Sequence, residues 1–391
     1  MAGIFAVSWT LPASHAAEPV PTLVIGEAPL SSELQSASAS GLQLMVDHQP
    51  REVSQNDLVL WGAFRPPAAV AQLVLADGGL LVADIVGLQD DLLRLDVPLA
   101  GAASIPVESV AGILFHPPGD PLRRDQLADR LAARDGDSDL LILENGDELS
   151  GTVTGLAETS LQFSLGAAPI KITLERVVAL RFNPKLVERP RVRPGRVWVG
   201  LSDGTRLLAD TLEWTGAEAT VSLASGQDLH VSGAEIVAVQ PLGNRTVYLS
   251  DLKPAGYVHI PFLSLSWPYT ADRNVLGGRL RSGGRLYAKG IGMHSASRLT
   301  YRIDRKARRF AAEIALDDAA GQEQRSRGSV VFRVFVDKEE RFASPVIRGG
   351  EPPVPVSVEL KQGSTLSLLV DFGDRGDELD HANWLNARFE E

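Results

Sequence analysis

Three turn dipeptides place the strongest constraint on this chain: Asp77-Gly78, Asn145-Gly146 and Asp203-Gly204. Such pairs accept positive φ at both centres of a two-residue β-hairpin. Each follows a short apolar run and precedes a longer strand-like segment, a second hairpin and a final apolar run. From turn glycine to final run (Gly78 to Val110, Gly146 to Val177, Gly204 to Ile236) the separations are 32, 31 and 32 residues. That regularity predicts one small β unit used three times. A unit of about 45 residues suits a bent, SH3- or Sm-like small barrel, a fold analogy that says nothing about activity.

The remaining punctuation divides the chain. Residues 1–17, MAGIFAVSWTLPASHAA, have the apolar stretch and small-residue site of a secretory signal, without a basic leader. Residues 18–66 are weakly patterned. Strands are predicted only at Gly41–Met45 and Asp57–Trp61, and Ser31–Ser40 reads as a surface loop. The three β repeats occupy 67–118, 139–186 and 196–244. A helical linker is predicted over 119–138, where Leu127 and Leu131 lie four apart. A Pro- and Arg-rich linker covers 187–195. The last domain is 245–391.

Composition narrows the function. The net charge is −11 over 391 residues. A surface this acidic repels phosphate backbones, so no nucleic-acid partner is expected. With no cysteine there are no disulfides, thiolate metal sites or thiol catalysis. No run approaches the roughly 20 apolar residues of an integral membrane segment. No G-x-S-x-G elbow, Walker loop or H-E-x-x-H helix is present.

The last third alternates cleanly. Phe310, Ala312, Ile314 and Leu316 share one face, as do Val330, Phe332, Val334 and Val336. Val354, Val356, Val358 and Leu360 repeat the pattern, and Leu366, Leu368 and Val370 continue it. Strands of six to nine residues split by Gly, Asp and Pro turns predict an antiparallel β-sandwich. Seven segments then occur in order: YLSDL (248–252), KGIGMHS (289–295), FAAEIALDD (310–318), GSVVFRVFVD (328–337), the Ser344-Pro345-Val346 spacer, LLVDFGDRGD (368–377) and DHANWLNARF (380–389). In these segments the chain resembles the NPCBM family of carbohydrate-binding-type modules. The resemblance implies a galactose-binding-like jelly roll. The fold class expected for the whole chain is therefore all-β, three SH3/Sm-like repeats followed by a jelly-roll sandwich.

A neutral sugar presents hydroxyls and one C–H-rich face, so its site needs a flat ring and a few planar polar groups. Trp267, Tyr269 and Trp384 are the candidate stacking rings. His294, Arg348, Asp380 and His381 are the candidates for hydroxyls. Asp317 and Asp318, at a strand end, are either ligand groups or turn residues. No catalytic residue and no cofactor is expected. A structural calcium, common in galactose-binding-like domains, would draw on Asp371, Asp374, Asp377 and Asp380, with no ligand assigned.

The function expected is non-catalytic binding of a glycan or polysaccharide by an exported protein, periplasmic, cell-surface or extracellular. One alternative is a structural or assembly protein of the cell envelope, using the sandwich to contact envelope proteins. Another is an accessory subunit of a glycoside hydrolase. In the NPCBM family the module is commonly joined to a separate glycosidase domain, whereas small β repeats stand there in this chain.

Overall fold

The computed structural model describes residues 20–166, 168–190, 195–243, 245–262, 264–320, 328–361, 363–374 and 376–391. The expected signal segment lies outside the described residues, as does most of the second half of the 187–195 linker. Among the described residues the chain is all-β apart from one α-helix, Pro121–Ala132, and short 3-10 turns. No helix among them is long and apolar enough to cross a membrane.

The three expected repeats share one pairing order. In the unit that starts at Asp139, the first strand, Asp139–Leu143, pairs with both the second, Glu148–Ala157, and the last, Val177–Arg181. The second then pairs with Ser160–Ser164, and that with Ile170–Thr173. The same order recurs in the unit from Val197 to Pro241.

Two features correct the sequence reading. The weakly patterned segment holds a fourth stretch of five strands in this order, Val20–Val24 to Leu58–Gly62. Ser31–Ser40 is mostly strand, not loop: Leu30–Ser38 turns Leu34 and Ala37 inward, and Ser32 bonds Thr22 through their hydroxyls at 2.7 Å. The stretches are also not separate spacers. Val110–Leu114 pairs with Val177–Arg181, and Leu58–Gly62 pairs with Ile236–Pro241. One apolar core, from Val24 through Leu141 to Val239, runs through all of them. Edge strands left unpaired would invite association, and pairing them across units removes that hazard.

The helix begins where predicted. Asp120 caps it, accepting the Arg123 N–H at 2.8 Å, and Pro121 opens it. Ala128 and Leu131 are buried against the sheet residues Val74, Ala111 and Ala179.

The C-terminal domain is two antiparallel sheets face to face. One runs Thr270–Ala271, Gly290–Met293, Ala382–Glu390, Arg309–Leu316, Val354–Glu359. The other runs Gly256–His259, Ser297–Arg302, Thr365–Phe372, Ser329–Val336, Glu339–Ala343. The alternating apolar residues read from the sequence meet between them, with Leu299, Tyr301, Phe310, Phe332 and Leu368 all buried.

Ala382–Glu390 is buried at every position. One face lines the sandwich core. On the other, Leu385 packs with Leu280, Tyr287 and Ala315. The hairpin Leu280–Ser282/Arg285–Tyr287 in turn meets the N-terminal units: the Leu286 N–H donates to the Phe64 carbonyl at 2.9 Å, and Leu286 packs with Phe64 and Leu60. The sandwich is thus seated on the repeats rather than tethered to them.

Candidate functional site

Strand register assembles the site. Met293 pairs with Ala382, and Leu316 also pairs with Ala382. Continuing that register brings His294, His381 and Asp317 to three adjacent strand ends. In the facing sheet His259 pairs with Ser297, and Ser329 begins the next strand but one. The chain crosses from Gly256–His259 in one sheet to Thr270–Ala271 in the other. This crossing lays Trp267 flat on His294, with ring centroids 4.7 Å apart and planes inclined by 6°. His381 stands 6.0 Å from His294 and 6.2 Å from Trp267, and His259 lies 6.2 Å from His294.

The Trp267 backbone is held from below. Its carbonyl accepts the Tyr257 hydroxyl, which also lies 3.0 Å from Ser297 Oγ. The same Ser297 oxygen lies 3.1 Å from His259 Nδ1. Asp380 is tied to the other wall, its Oδ1 accepting the Ser329 N–H at 2.9 Å. Ser329 Oγ accepts the Asp374 N–H at 2.8 Å, and the Asp374 carboxylate pairs with Arg348.

The cluster is buried, and burial sets its charge state. His294 is 3% exposed, His381 7% and Asp380 1%. Burial lowers the His294 pKa to about 4, with the His381 and His259 rings adding to the shift. Burial alone lowers that of His381 to about 4. Burial raises Asp380 to about 6 against the opposing Ser295 and Ser329 contacts, with Asp377 adding to the rise. At neutral pH the site is therefore two neutral imidazoles beside one carboxylate. Several of its imidazole nitrogens lack a partner among the described residues: His259 Nε2, His294 Nδ1 and His381 Nδ1. Buried polar groups are rarely left so, and a concentration of them in one place marks where hydrogen bonds can still be made.

Several sequence expectations are corrected. Trp384 is no platform: it is fully buried and meets Phe332 edge-on at 5.0 Å and Phe310 at 6.1 Å. A ring on the inner face of a central strand has no route to solvent. Tyr269 is half-buried against the core and Tyr257, at 5.2 Å. His294, Asp380 and His381 come together and lie beneath the Trp267 loop, buried from solvent. Trp267 is half-exposed and Arg348 exposed.

Asp317 serves the fold. Its carboxylate accepts the amides of Asn274 at 3.0 Å and Asn383 at 2.7 Å and the Arg281 N–H at 3.0 Å. Asp318 accepts the Gly283 and Gly284 N–H groups at 2.8 and 2.9 Å. The four acids considered for calcium do not converge. Asp374 faces Arg348, Asp371 lies 3.9 Å from Arg333, and Asp380 is turned to Ser329. Among the described residues no three carboxylate or imidazole groups gather as a metal site, so these side chains do not assemble the calcium site that the sequence left possible.

Sequence reasoning missed His259, Ser295, Ser297 and Phe262. Phe262 is 59% exposed and meets Phe372 edge-on at 5.9 Å. His259 ends the GYVH strand, and only its pairing with Ser297 brings it to the cluster.

Residues 245–390 match the NPCBM/NEW2 domain family. "Putative endo-alpha-N-acetylgalactosaminidase" of Renibacterium salmoninarum is 32% identical over 113 residues, covering 29% of this chain and 7% of that protein. Alpha-1,3-galactosidase B of Akkermansia muciniphila is 31% identical over 119 residues, covering 29% of this chain and 14% of that protein. The chain thus spans a small part of these curated relatives. Among solved structures, CBM51 from Clostridium perfringens GH95 in complex with methyl-galactose is 24% identical, covering 37% of this chain and 99% of that one, with a TM-score of 0.33.

Proposed function

We propose, from the premise that residues 245–390 are an NPCBM/NEW2 domain, that the sandwich binds a neutral glycan at the Trp267 end without cleaving it. The observation that carries this is Trp267 lying on His294, with His381 and Asp380 behind it and nitrogens of His259, His294 and His381 unsatisfied. A neutral imidazole can donate at one nitrogen and accept at the other, which suits a hydroxyl that does both. The aromatic ring supplies the apolar face. The buried polar atoms are shut off from solvent, so binding must shift the Trp267 ring toward the sugar and open them. The relatives named as an endo-α-N-acetylgalactosaminidase and an α-1,3-galactosidase favour a galactose-type ligand.

The repeats, which we read as SH3/Sm-like units, act as a rigid base for this domain. We propose that the protein is exported, the placement in which a polysaccharide ligand would be met. Cell fractionation tests that placement.

The test of binding is the full chain on a broad panel of galactose- and N-acetylgalactosamine-terminated glycans, with tryptophan fluorescence read during titration. Binding with a fluorescence change that Trp267→Phe removes supports the proposal. A folded chain silent across the panel overturns it.

A second reading draws on burial. The imidazoles are sealed, while Ile260, Phe262 and Leu265 are 67%, 59% and 63% exposed beside them. That apolar rim suits contact with an envelope protein. Such contact would persist in excess free galactose, whereas glycan binding would not.

A further inference from the structure

The opposite end of the sandwich is built of different chemistry. The segment RIDRKARR (302–309) follows the strand Ser297–Arg302, whose other end starts at the Trp267 site. A cleft of about 980 Å³ opens there between the turn at 303–308 and the turn that carries Lys361, Gly363 and Ser364. Backbone bonds fix the turns to each other: the Ile303 N–H donates to the Ser364 carbonyl, and the Leu360 N–H to the Arg308 carbonyl, both at 3.0 Å. Ala307 is buried beneath them.

The cleft is lined by five cations, Arg302, Arg305, Arg308, Arg309 and Lys361, and two acids, Asp304 and Glu359. Asp304 is partly spent on its own turn, accepting the Lys306 N–H at 2.9 Å. Arg309 lies 4.0 Å from Glu390. The side chains of Arg302, Arg305, Arg308 and Lys361 make no hydrogen bond or ion pair among the described residues. Arg281, by contrast, is matched to Asp125. Like charges gathered without counter-charge cost folding free energy, so the arrangement is explained by an anion that comes from outside.

We propose that this cleft binds a polysaccharide carrying sulfate or carboxylate groups, as a second glycan site independent of the one at Trp267. Arginine forks match planar or tetrahedral oxyanions through paired N–H donors. No aromatic ring lines the cleft, so a single-stranded nucleic acid would find no surface for base stacking. A flat lipid surface cannot enter a recess between two pinned turns.

The test uses the full chain with three probes: chondroitin sulfate, hyaluronan and single-stranded oligothymidylate, by titration calorimetry at low and high salt. The parent chain binds chondroitin sulfate, and salt weakens the binding. Hyaluronan, which carries carboxylate alone, reports whether sulfate is required. Arg305→Glu with Arg308→Glu lowers affinity about tenfold or more, while His381→Asn, at the other end of the domain, leaves it unchanged. Both arginines are exposed, and melting curves check the fold. If the double variant unfolds, the single change Arg305→Gln supplies the comparison. The proposal falls if neither polysaccharide binds, if the arginine variants bind like the parent, or if oligothymidylate binds more tightly through the same arginines. Failure of galactose-type glycans to bind would leave it standing, because no residue is shared with the Trp267 site.

Discussion

Arg281 of the C-terminal sandwich grips Asp125 of the helix Pro121–Ala132 with both terminal nitrogens, the second contact being 3.0 Å. Both side chains are nearly buried, at 12% and 10% exposure. Asp125 also accepts the Arg279 N–H at 2.8 Å, and the neighbouring Asp129 takes Arg273 Nε at 2.7 Å. Two carboxylates thus face Arg273, Arg279 and Arg281, with buried Arg206 close behind. Burial and neighbouring arginines lower Arg206 to about 9 and Arg279 to about 10. The helix that sequence presents as a linker is the seat of the sandwich.

Removing one partner of a buried pair strands the other. Asp125→Asn should therefore cost about 3 kcal/mol. Urea unfolding of the full chain checks this. The expected result is a lower midpoint with the sandwich separating first. A midpoint within error of the parent would show that the pair carries no weight.

Trp267→Ala should weaken galactose-type glycan binding about tenfold or more, with little change in melting temperature because the ring is half-exposed. Trp384→Ala should do the reverse in stability. It empties a fully buried site between Phe310 and Phe332 and should cost about 4 kcal/mol. Equal melting temperatures for the two variants would contradict the assignment of one ring to the rim and the other to the core.

Stability should fall as pH drops from about 6.5 to 4. His294 and His381 titrate near 4 in the folded chain against 6.5 when free. Between those values the unfolded chain holds two extra protons. Asp380 opposes them, at about 6 folded against 3.8 free, so the folded chain holds one extra proton over much of the same range. Within this cluster the imidazoles win by one proton, a contribution to the slope of about 1.4 kcal/mol per pH unit. Asp380→Asn should steepen that slope and His381→Asn should flatten it. Chemical unfolding at several pH values reads both, and variants whose slopes match the parent's would refute the assignment.

Gly62 has φ +77°, and a β-carbon there would sit 2.0 Å from the Val237 carbonyl oxygen. It stands where Leu58–Gly62 pairs with Ile236–Pro241. Gly62→Ala should cost about 3 kcal/mol by parting the first stretch from the last. Circular dichroism melting measures the loss.

Much of the fold is legible because period-two patterns report which strand face is buried. Phe310 to Leu316 and Val330 to Val336 behave this way, since one face of each meets the facing sheet. The first five-strand stretch escaped because its turn is Ile25-Gly26-Glu27, without the Asn-Gly or Asp-Gly signal, and its second strand is rich in serine. Yet Gly26 to Leu58 is again 32 residues, a spacing that could have exposed it. His294, Asp380 and His381 could be named from their segments. Their burial could not, because what covers them is Trp267, brought from a crossing loop.

Local patterning by itself determined the strands, the turns, the capped helix and the sandwich's inward faces, since each depends on residues a few positions apart. Tertiary structure decided which ring is core and which is rim. It merged the repeats through shared edges, seated the sandwich on Asp125 and left the far-end arginines without carboxylates. Those outcomes depend on which distant surfaces meet, and hydrophobic burial and charge pairing between them act only once the chain has closed.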